Sequence, residues 1–270
     1  MIIFKSINTL NKEVNFKARI GFVPTMGSLH KGHISLIKSS KKKCSKTLVS
    51  IFINPSQFNK TIDLKNYPKN LKKDIAILKK MKVDYVLVPK LNEIYQSKKD
   101  MKINLKKKDK IMCAKFRPGH FEGVLAVINQ FLKKIKVSCI FLGAKDYQQF
   151  YLIYNFIKKK FSIKIFLCKT IRDKNKVALS SRNVLLKKND LYKSSIISKL
   201  LIKLKNNAKN KLKLNNEIKK IKEKIKNLEN VKIEYLEIRN KNNLSKSYTM
   251  KNFKIFLAYY INNVRLIDNY

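Results

Sequence analysis

The chain's three histidines (His30, His33, His120) and all six of its glycines fall within the first 143 residues. Two of each crowd into one run, PTMGSLHKGHISL, residues 24–36. His30 and His33 are one helical turn apart, so at a helix start their side chains point to similar sides. Helix N-termini carry free N–H groups and partial positive charge, a ready phosphate site. Two imidazoles placed there can donate hydrogen bonds to phosphate oxygens and stabilise charge as it builds. Gly27 and Gly32 let a large ligand approach the backbone. Spacing alone leaves two alternatives open: ordinary polar loop histidines, or a zinc pair. Zinc wants a third protein ligand, and no acid, Cys or further His stands nearby in sequence.

Such a site needs a strand before it and a helix after it. RIGFV (19–23) reads as a short buried strand, and GHISLIKSSKKK (32–43) follows with helical apolar spacing. KTLVSIFI (46–53), VDYVLVP (83–89), VSCIFLG (137–143) and IKIFLC (163–168) read as further strands. LKKDIAILKKM (71–81), FEGVLAVINQFLKKI (121–135) and QQFYLIYNFIKKK (148–160) read as helices between them. This alternation predicts an α/β fold, a mostly parallel sheet with helices on both faces, where ligands bind at the carboxyl ends of the strands. The last third differs. Residues 206–230 are rich in Lys and Asn, and Ile218, Ile221, Ile225 and Leu228 recur at three- and four-residue steps, one apolar helical face for a core. Strand-like runs at 231–238 and 253–261 complete a smaller α+β domain. The boundary is expected between about residues 172 and 190, with the α/β domain over 1–175 and the smaller α+β domain over 176–270.

The 270 residues suffice for one large domain or two modest ones, and 44% hydrophobic content is ordinary for a soluble protein. No apolar run approaches the roughly 18 residues a bilayer requires, and the N-terminus lacks the features of a signal peptide. Cys44, Cys113, Cys139 and Cys168 form no CxxC pair, which suits free thiols in a reducing cytoplasm. The net charge of +45 comes from 62 basic residues, only six of them arginine, against 17 acidic ones. A nucleic-acid reader usually clusters Arg with aromatics. Here lysines are spread along the whole chain beside abundant Asn and Ile, the pattern of an AT-rich coding bias. No specific nucleic-acid partner and no membrane partner are expected.

HxGH after a first strand resembles the nucleotide-binding motif of the HIGH-type nucleotidyltransferase superfamily. Six segments sharpen this: PTMGSLHKGHISL, VSIFINPSQF (49–58), FRPGHFEGV (116–124), LGAKDYQQFYLI (142–153), ALSSRNVLL (178–186) and RLIDN (265–269). In order and spacing they resemble the pantothenate synthetase (pantoate–β-alanine ligase) family, from about residue 20 to the chain's end. The resemblance implies a Rossmann-like domain and a two-step ligation. ATP and (R)-pantoate give pantoyl adenylate and pyrophosphate, then β-alanine displaces AMP. It also implies Mg²⁺ accompanying ATP, a cytoplasmic location and a homodimer built through the N-terminal domain.

Residue by residue, the resemblance puts Met26, Gly27, Ser28, Leu29, His30, Lys31, Gly32 and His33 along the adenylate, with the proton-donor role on His33. Gly143, Ala144, Lys145 and Asp146 follow a predicted strand, which aims Lys145 at phosphate and leaves Asp146 to contact ribose or orient the lysine. Ile171, Leu179, Ser180, Ser181 and Arg182 complete the ATP contacts, with Arg182 on the departing phosphates. The serines also suit a helix cap. Gln57 and Gln149 would hold pantoate; a neutral amide binds a carboxylate without quenching its nucleophilicity with a full charge. Arg117 is a further phosphate candidate. His120 could contact ligand or cap a helix. Asp74 is a candidate Mg²⁺ ligand or a solvated helix acid. The chain departs from the family pattern at KIMCAKF (110–116), at Leu142 and Ala144, and at Asn175 and Lys176, where an Asp-Gly turn is usual.

Overall fold

The computed structural model describes residues 1–59, 61–208 and 210–270. The chain divides into two compact units, Met1–Lys169 and Thr170–Tyr270. In the first, six strands form one sheet: β1 (Ile2–Phe4), β2 (Ile20–Thr25), β3 (Lys46–Ile51), β4 (Tyr85–Leu87), β5 (Cys139–Gly143) and β6 (Lys164–Cys168). Their order is β1-β4-β3-β2-β5-β6, and every pairing is parallel. The longer helices of this unit are α1 (Ile7–Glu13), α2 (Lys31–Lys43), α3 (Leu71–Lys80), α4 (His120–Lys134) and α5 (Tyr147–Lys160). The expected α/β parallel sheet is therefore observed.

β2 and β3 are buried along almost their whole length because helices cover both faces of a parallel sheet, which is why their sequences read as continuous apolar runs. From β2 the chain steps outward through β3 to β4, then resumes on the other side of β2 with β5 and β6. That reversal opens a crevice at the carboxyl ends of β2 and β5. β1 and α1 lie outside the sequence reading. β1 has only three residues, two of them exposed, so no period could reveal it; it is a strand because Ile2–Phe4 pairs with Tyr85–Leu87.

In the second unit β7 (Val231–Asn240), β8 (Phe253–Ile261) and β9 (Val264–Asn269) form an antiparallel sheet. Helices α6 (Lys188–Asn207) and α7 (Lys211–Lys226) share its core. The apolar stripe read from the sequence is buried there through Ile218, Ile221 and Ile225, with Leu228 partly buried. Arg172 closes the unit onto the end of the chain: its guanidinium reaches both carboxylate oxygens of Asp268 at 2.6 and 2.8 Å and lies over the Tyr270 ring at 4.6 Å. Tyr270 donates its hydroxyl to the same carboxylate at 2.6 Å. Burial and that neighbouring anion both push the Tyr270 phenol well above its ordinary pKa, so it stays a donor. Removing one partner of a buried ion pair leaves the other uncompensated. Asp268→Ala is expected to lower unfolding stability by ~3 kcal/mol, read as the shift in urea midpoint at constant m-value; an unchanged midpoint would remove this pair from the unit's stability.

Candidate functional site

The chain leaves β2 at Thr25 and must turn before entering α2. Thr25 ties the turn to the sheet: its Oγ1 donates to the Ser50 carbonyl at 2.7 Å and accepts the Gly27 N–H at 3.2 Å. Gly27 (φ +79°) and Ser28 (φ +51°) are both left-handed. A Cβ on Gly27 would stand 2.8 Å from the Asp74 carboxylate, so conformation and space both demand glycine. Asp74, from α3, accepts the N–H of Ser28 at 2.8 Å and of Leu29 at 2.7 Å. It is buried, not a solvated helix acid.

His30 is the N-cap of α2, and the two histidines complete a reciprocal capping box. The His30 Nδ1 accepts the Gly32 N–H at 3.0 Å, and the His33 Nδ1 accepts the His30 N–H at 3.3 Å. A backbone N–H only donates, so both Nδ1 atoms bear lone pairs and both rings carry their proton on Nε2. The rings pack with centroids 4.1 Å apart. Burial, then the Lys145 ammonium, lowers His30 to about 4. Burial, then His30 and Lys145, lowers His33 to about 3. Both are therefore neutral near pH 7, and each offers an Nε2–H donor. The helix-start N–H groups favoured by the sequence reading are partly spent: those of Ser28, Leu29 and Gly32 are bonded within the protein.

Lys145 lies just past β5, in the turn Ala144–Asp146 into which that strand opens. Its ammonium lies 3.7 Å from the Asp146 carboxylate and acts electrostatically on both histidines, so the loops after β2 and β5 face the same crevice. Gln149 follows in the first turn of α5, half-buried. Its neighbour Gln148 is structural, accepting the Cys113 N–H and donating to the Ile111 carbonyl.

Gln57 ends the turn Pro55–Gln57, capped by Asn54. It is buried, and its side-chain amide meets the Met26 sulfur, which joins this turn to the β2–α2 loop. The N-terminus of α4 is its platform. A Cβ on Gly123 would lie 2.4 Å from the Ser56 carbonyl oxygen, so glycine alone permits the approach. Asn54 Nδ2 donates to the Gly123 carbonyl at 3.0 Å. His120 Nδ1 donates to the Gln57 carbonyl at 2.7 Å, which leaves its Nε2 to accept from Arg117 at 3.0 Å. His120 thus provides no side-chain cap; it links Arg117 to the glutamine turn, where Arg117 also reaches the Gln57 carbonyl. Sequence reading missed this role because nothing local pairs residues 57 and 120.

The other candidates lie in the second unit. Ile171 and Leu179 meet across a hairpin, Leu179 N–H donating to the Ile171 carbonyl at 2.9 Å. Lys176 takes φ +71°, and Asp173 Oδ1 accepts the N–H groups of Asn175 and Val177, so the turn forms without Asp-Gly. Ser180 Oγ accepts the Arg182 N–H at 3.3 Å and caps the short turn Ser181–Leu185. Ser181 is buried and Arg182 half-buried.

A histidine whose folded pKa is depressed keeps its stability contribution above the unfolded value near 6.5, and that contribution is lost as pH falls toward the folded values of about 4 and about 3. The His30 and His33 ring resonances are accordingly expected to stay in the neutral Nε2–H form from pH 8 down to 5, while the urea midpoint declines below 6.5. A ring that titrates near 6.5 in the folded protein would break the assignment.

The pantoate–β-alanine ligase family model matches residues 2–270. The pantothenate synthetase of Francisella tularensis subsp. mediasiatica is 38% identical over 268 residues, 98% of this chain and 94% of the relative. That of Pseudothermotoga lettingae is 34% identical over 278 residues, 100% of this chain and 98% of the relative. Among solved structures, pantothenate synthetase from Thermus thermophilus superposes with a TM-score of 0.91 at 25% identity, covering 100% of this chain and 99% of that one. Pantoate–β-alanine ligase from F. tularensis, complexed with β,γ-ATP and β-alanine, superposes with a TM-score of 0.83 at 37% identity, covering 100% and 97%.

Proposed function

The chain belongs to the pantoate–β-alanine ligase family, and from that premise we propose how its residues divide the reaction. The enzyme condenses (R)-pantoate with β-alanine at the expense of ATP, giving pantothenate, AMP and pyrophosphate. The observation that carries the assignment of roles is the gathering of two neutral Nε2–H donors and the Lys145 ammonium where the loops after β2 and β5 converge.

In the first step a pantoate carboxylate oxygen bonds to the α-phosphorus while the bond to the β-phosphate oxygen breaks. Two anions approach, so the site must supply donors and positive charge where negative charge develops. His30 and His33 donate from Nε2 to the α-phosphate oxygens. They act as neutral donors that need not gain a proton first, and Lys145 supplies the charge. Met26–His33 line the nucleotide, and Gly143–Asp146 extend that lining. Gln57 and Gln149 hold pantoate through neutral amides, with Gln57 set in place by His120. For Ile171, Leu179, Ser180, Ser181 and Arg182 the family resemblance implies the remaining ATP contacts, with Arg182 on the departing pyrophosphate; Arg117 serves mainly to support the Gln57 turn. In the second step the neutral amine of β-alanine bonds to the acyl carbon, AMP leaves, and the amine releases its proton.

The residues fit a magnesium ion carried on the nucleotide. Among the described residues no group of three or more His, Cys, Asp or Glu forms a metal cage, and Mg²⁺ commonly keeps waters and substrate phosphates with one or two carboxylates. Asp146, 43% exposed at its side chain, is the carboxylate beside Lys145 able to join such an ion. When bound, the ion neutralises charge on the leaving pyrophosphate. A homodimer and a cytoplasmic location complete the proposal; the four buried free cysteines suit a reducing compartment. Among the described residues no helix is long and apolar enough to cross a membrane.

AMP release by the purified protein is expected to require ATP, Mg²⁺, (R)-pantoate and β-alanine together; release without pantoate, or none from folded protein, would refute the assignment. His33→Ala is expected to cut that release by about 10²-fold with the fold retained. Unchanged turnover would take His33 out of the first step.

A further inference from the structure

Asp74 stands 45 residues beyond the loop it contacts and is only 2% exposed. It serves no cap in its own helix, where Asn70 accepts the Lys73 N–H. Both of its oxygens are committed elsewhere, Oδ2 to the Ser28 N–H and Oδ1 to the Leu29 N–H. Successive N–H groups beside left-handed residues form a concavity that binds anions. Here the chain has filled that concavity with its own carboxylate. The fit is close on the glycine side as well, since no Cβ can stand at position 27 beside Oδ2. His30 follows directly, so the direction in which α2 starts, and with it both Nε2–H groups, depends on where Ser28 and Leu29 are held.

We propose that Asp74 is a positioning residue for the adenylation step: its carboxylate clamps the Ser28 and Leu29 N–H groups and so aims His30 and His33, and it is not a ligand of the magnesium ion that accompanies ATP. This rests on the roles given above to the two histidines. Each Asp74 oxygen already accepts a backbone N–H, and at 2% exposure the carboxylate has little room for the waters and phosphate oxygens that Mg²⁺ keeps around it. An amide cannot replace it, because one end of the amide donates and would oppose an N–H. A free carboxylate anion can replace it if the side chain is removed.

The test uses Asp74→Ala and Asp74→Asn in the full chain, with wild-type turnover measured first, so that failure of the ligase reading shows separately in the wild type. Misaiming the donors is expected to lower kcat by about 10²-fold in both variants, with the half-saturating Mg²⁺ concentration and the KM for pantoate unchanged. Sodium formate is expected to restore kcat saturably in Asp74→Ala, where the space is open. It should not do so in Asp74→Asn, where the amide fills it, and sodium chloride at equal ionic strength should restore neither. A folded Asp74→Ala that ignores formate overturns the proposal. So does a roughly tenfold rise in half-saturating Mg²⁺ in either variant, or an Asp74→Asn enzyme within about twofold of wild-type kcat. If Asp74→Ala does not fold, the kcat and Mg²⁺ dependence of Asp74→Asn decide alone.

Discussion

The reciprocal cap at the start of α2 governs this site. Two imidazoles spend their Nδ1 lone pairs on backbone N–H groups, and one set of hydrogen bonds thereby settles three things. It starts the helix, it locks each ring in one tautomer, and it turns both Nε2–H groups away from the cap. An Asp cap would start the helix equally well but leave no donor at all. The second and third outcomes are what make this cap chemically useful. They hold only while the preceding turn delivers His30 at the right angle, which ties them to Gly27, Ser28 and the Asp74 carboxylate.

Electrostatics reinforces the same arrangement. Lys145 sits near enough to both rings to oppose their protonation, adding to the effect of burial. The crevice therefore carries its positive charge on an ammonium and its directional donors on neutral rings. That separation suits two anionic reactants: a fixed charge lowers the repulsion between them, and neutral N–H groups mark where new charge will appear. The +45 net charge is a different matter. It is distributed over the chain and acts at a distance that salt readily screens, whereas Lys145 acts across a partly buried crevice.

The glutamine side of the site has its own scaffold. The turn bearing Gln57 rests on the N-terminus of α4, backbone against backbone at Gly123, and His120 bonds the carbonyl of the glutamine itself. Met26 then joins this turn to the β2–α2 loop. Segments 24–36, 49–58 and 116–124 thus serve one structure, in which the third holds the second against the first.

Much of this was legible in the chain alone. Apolar runs bounded by Gly and Pro marked most of the strands, and the concentration of histidine and glycine up to residue 143 marked the crevice, because both signals are local. The HxGH spacing itself put two rings on one side of a helix start. What the sequence could not reveal depends on residues far apart in the chain. β1 exists only through its pairing with β4. His120 reads as a helix cap until the fold brings the Gln57 carbonyl to its ring. Asp74 reads equally well as a surface acid until α3 is packed under the loop, where it is buried and its oxygens meet two N–H groups. The tautomers and depressed pKa values of His30 and His33 likewise follow from burial and from Lys145, which lies more than a hundred residues away. Residue types and spacing determined which groups are available for chemistry; tertiary packing decided their protonation, their direction and their supports, because each of those is set by neighbours in space and not by neighbours along the chain.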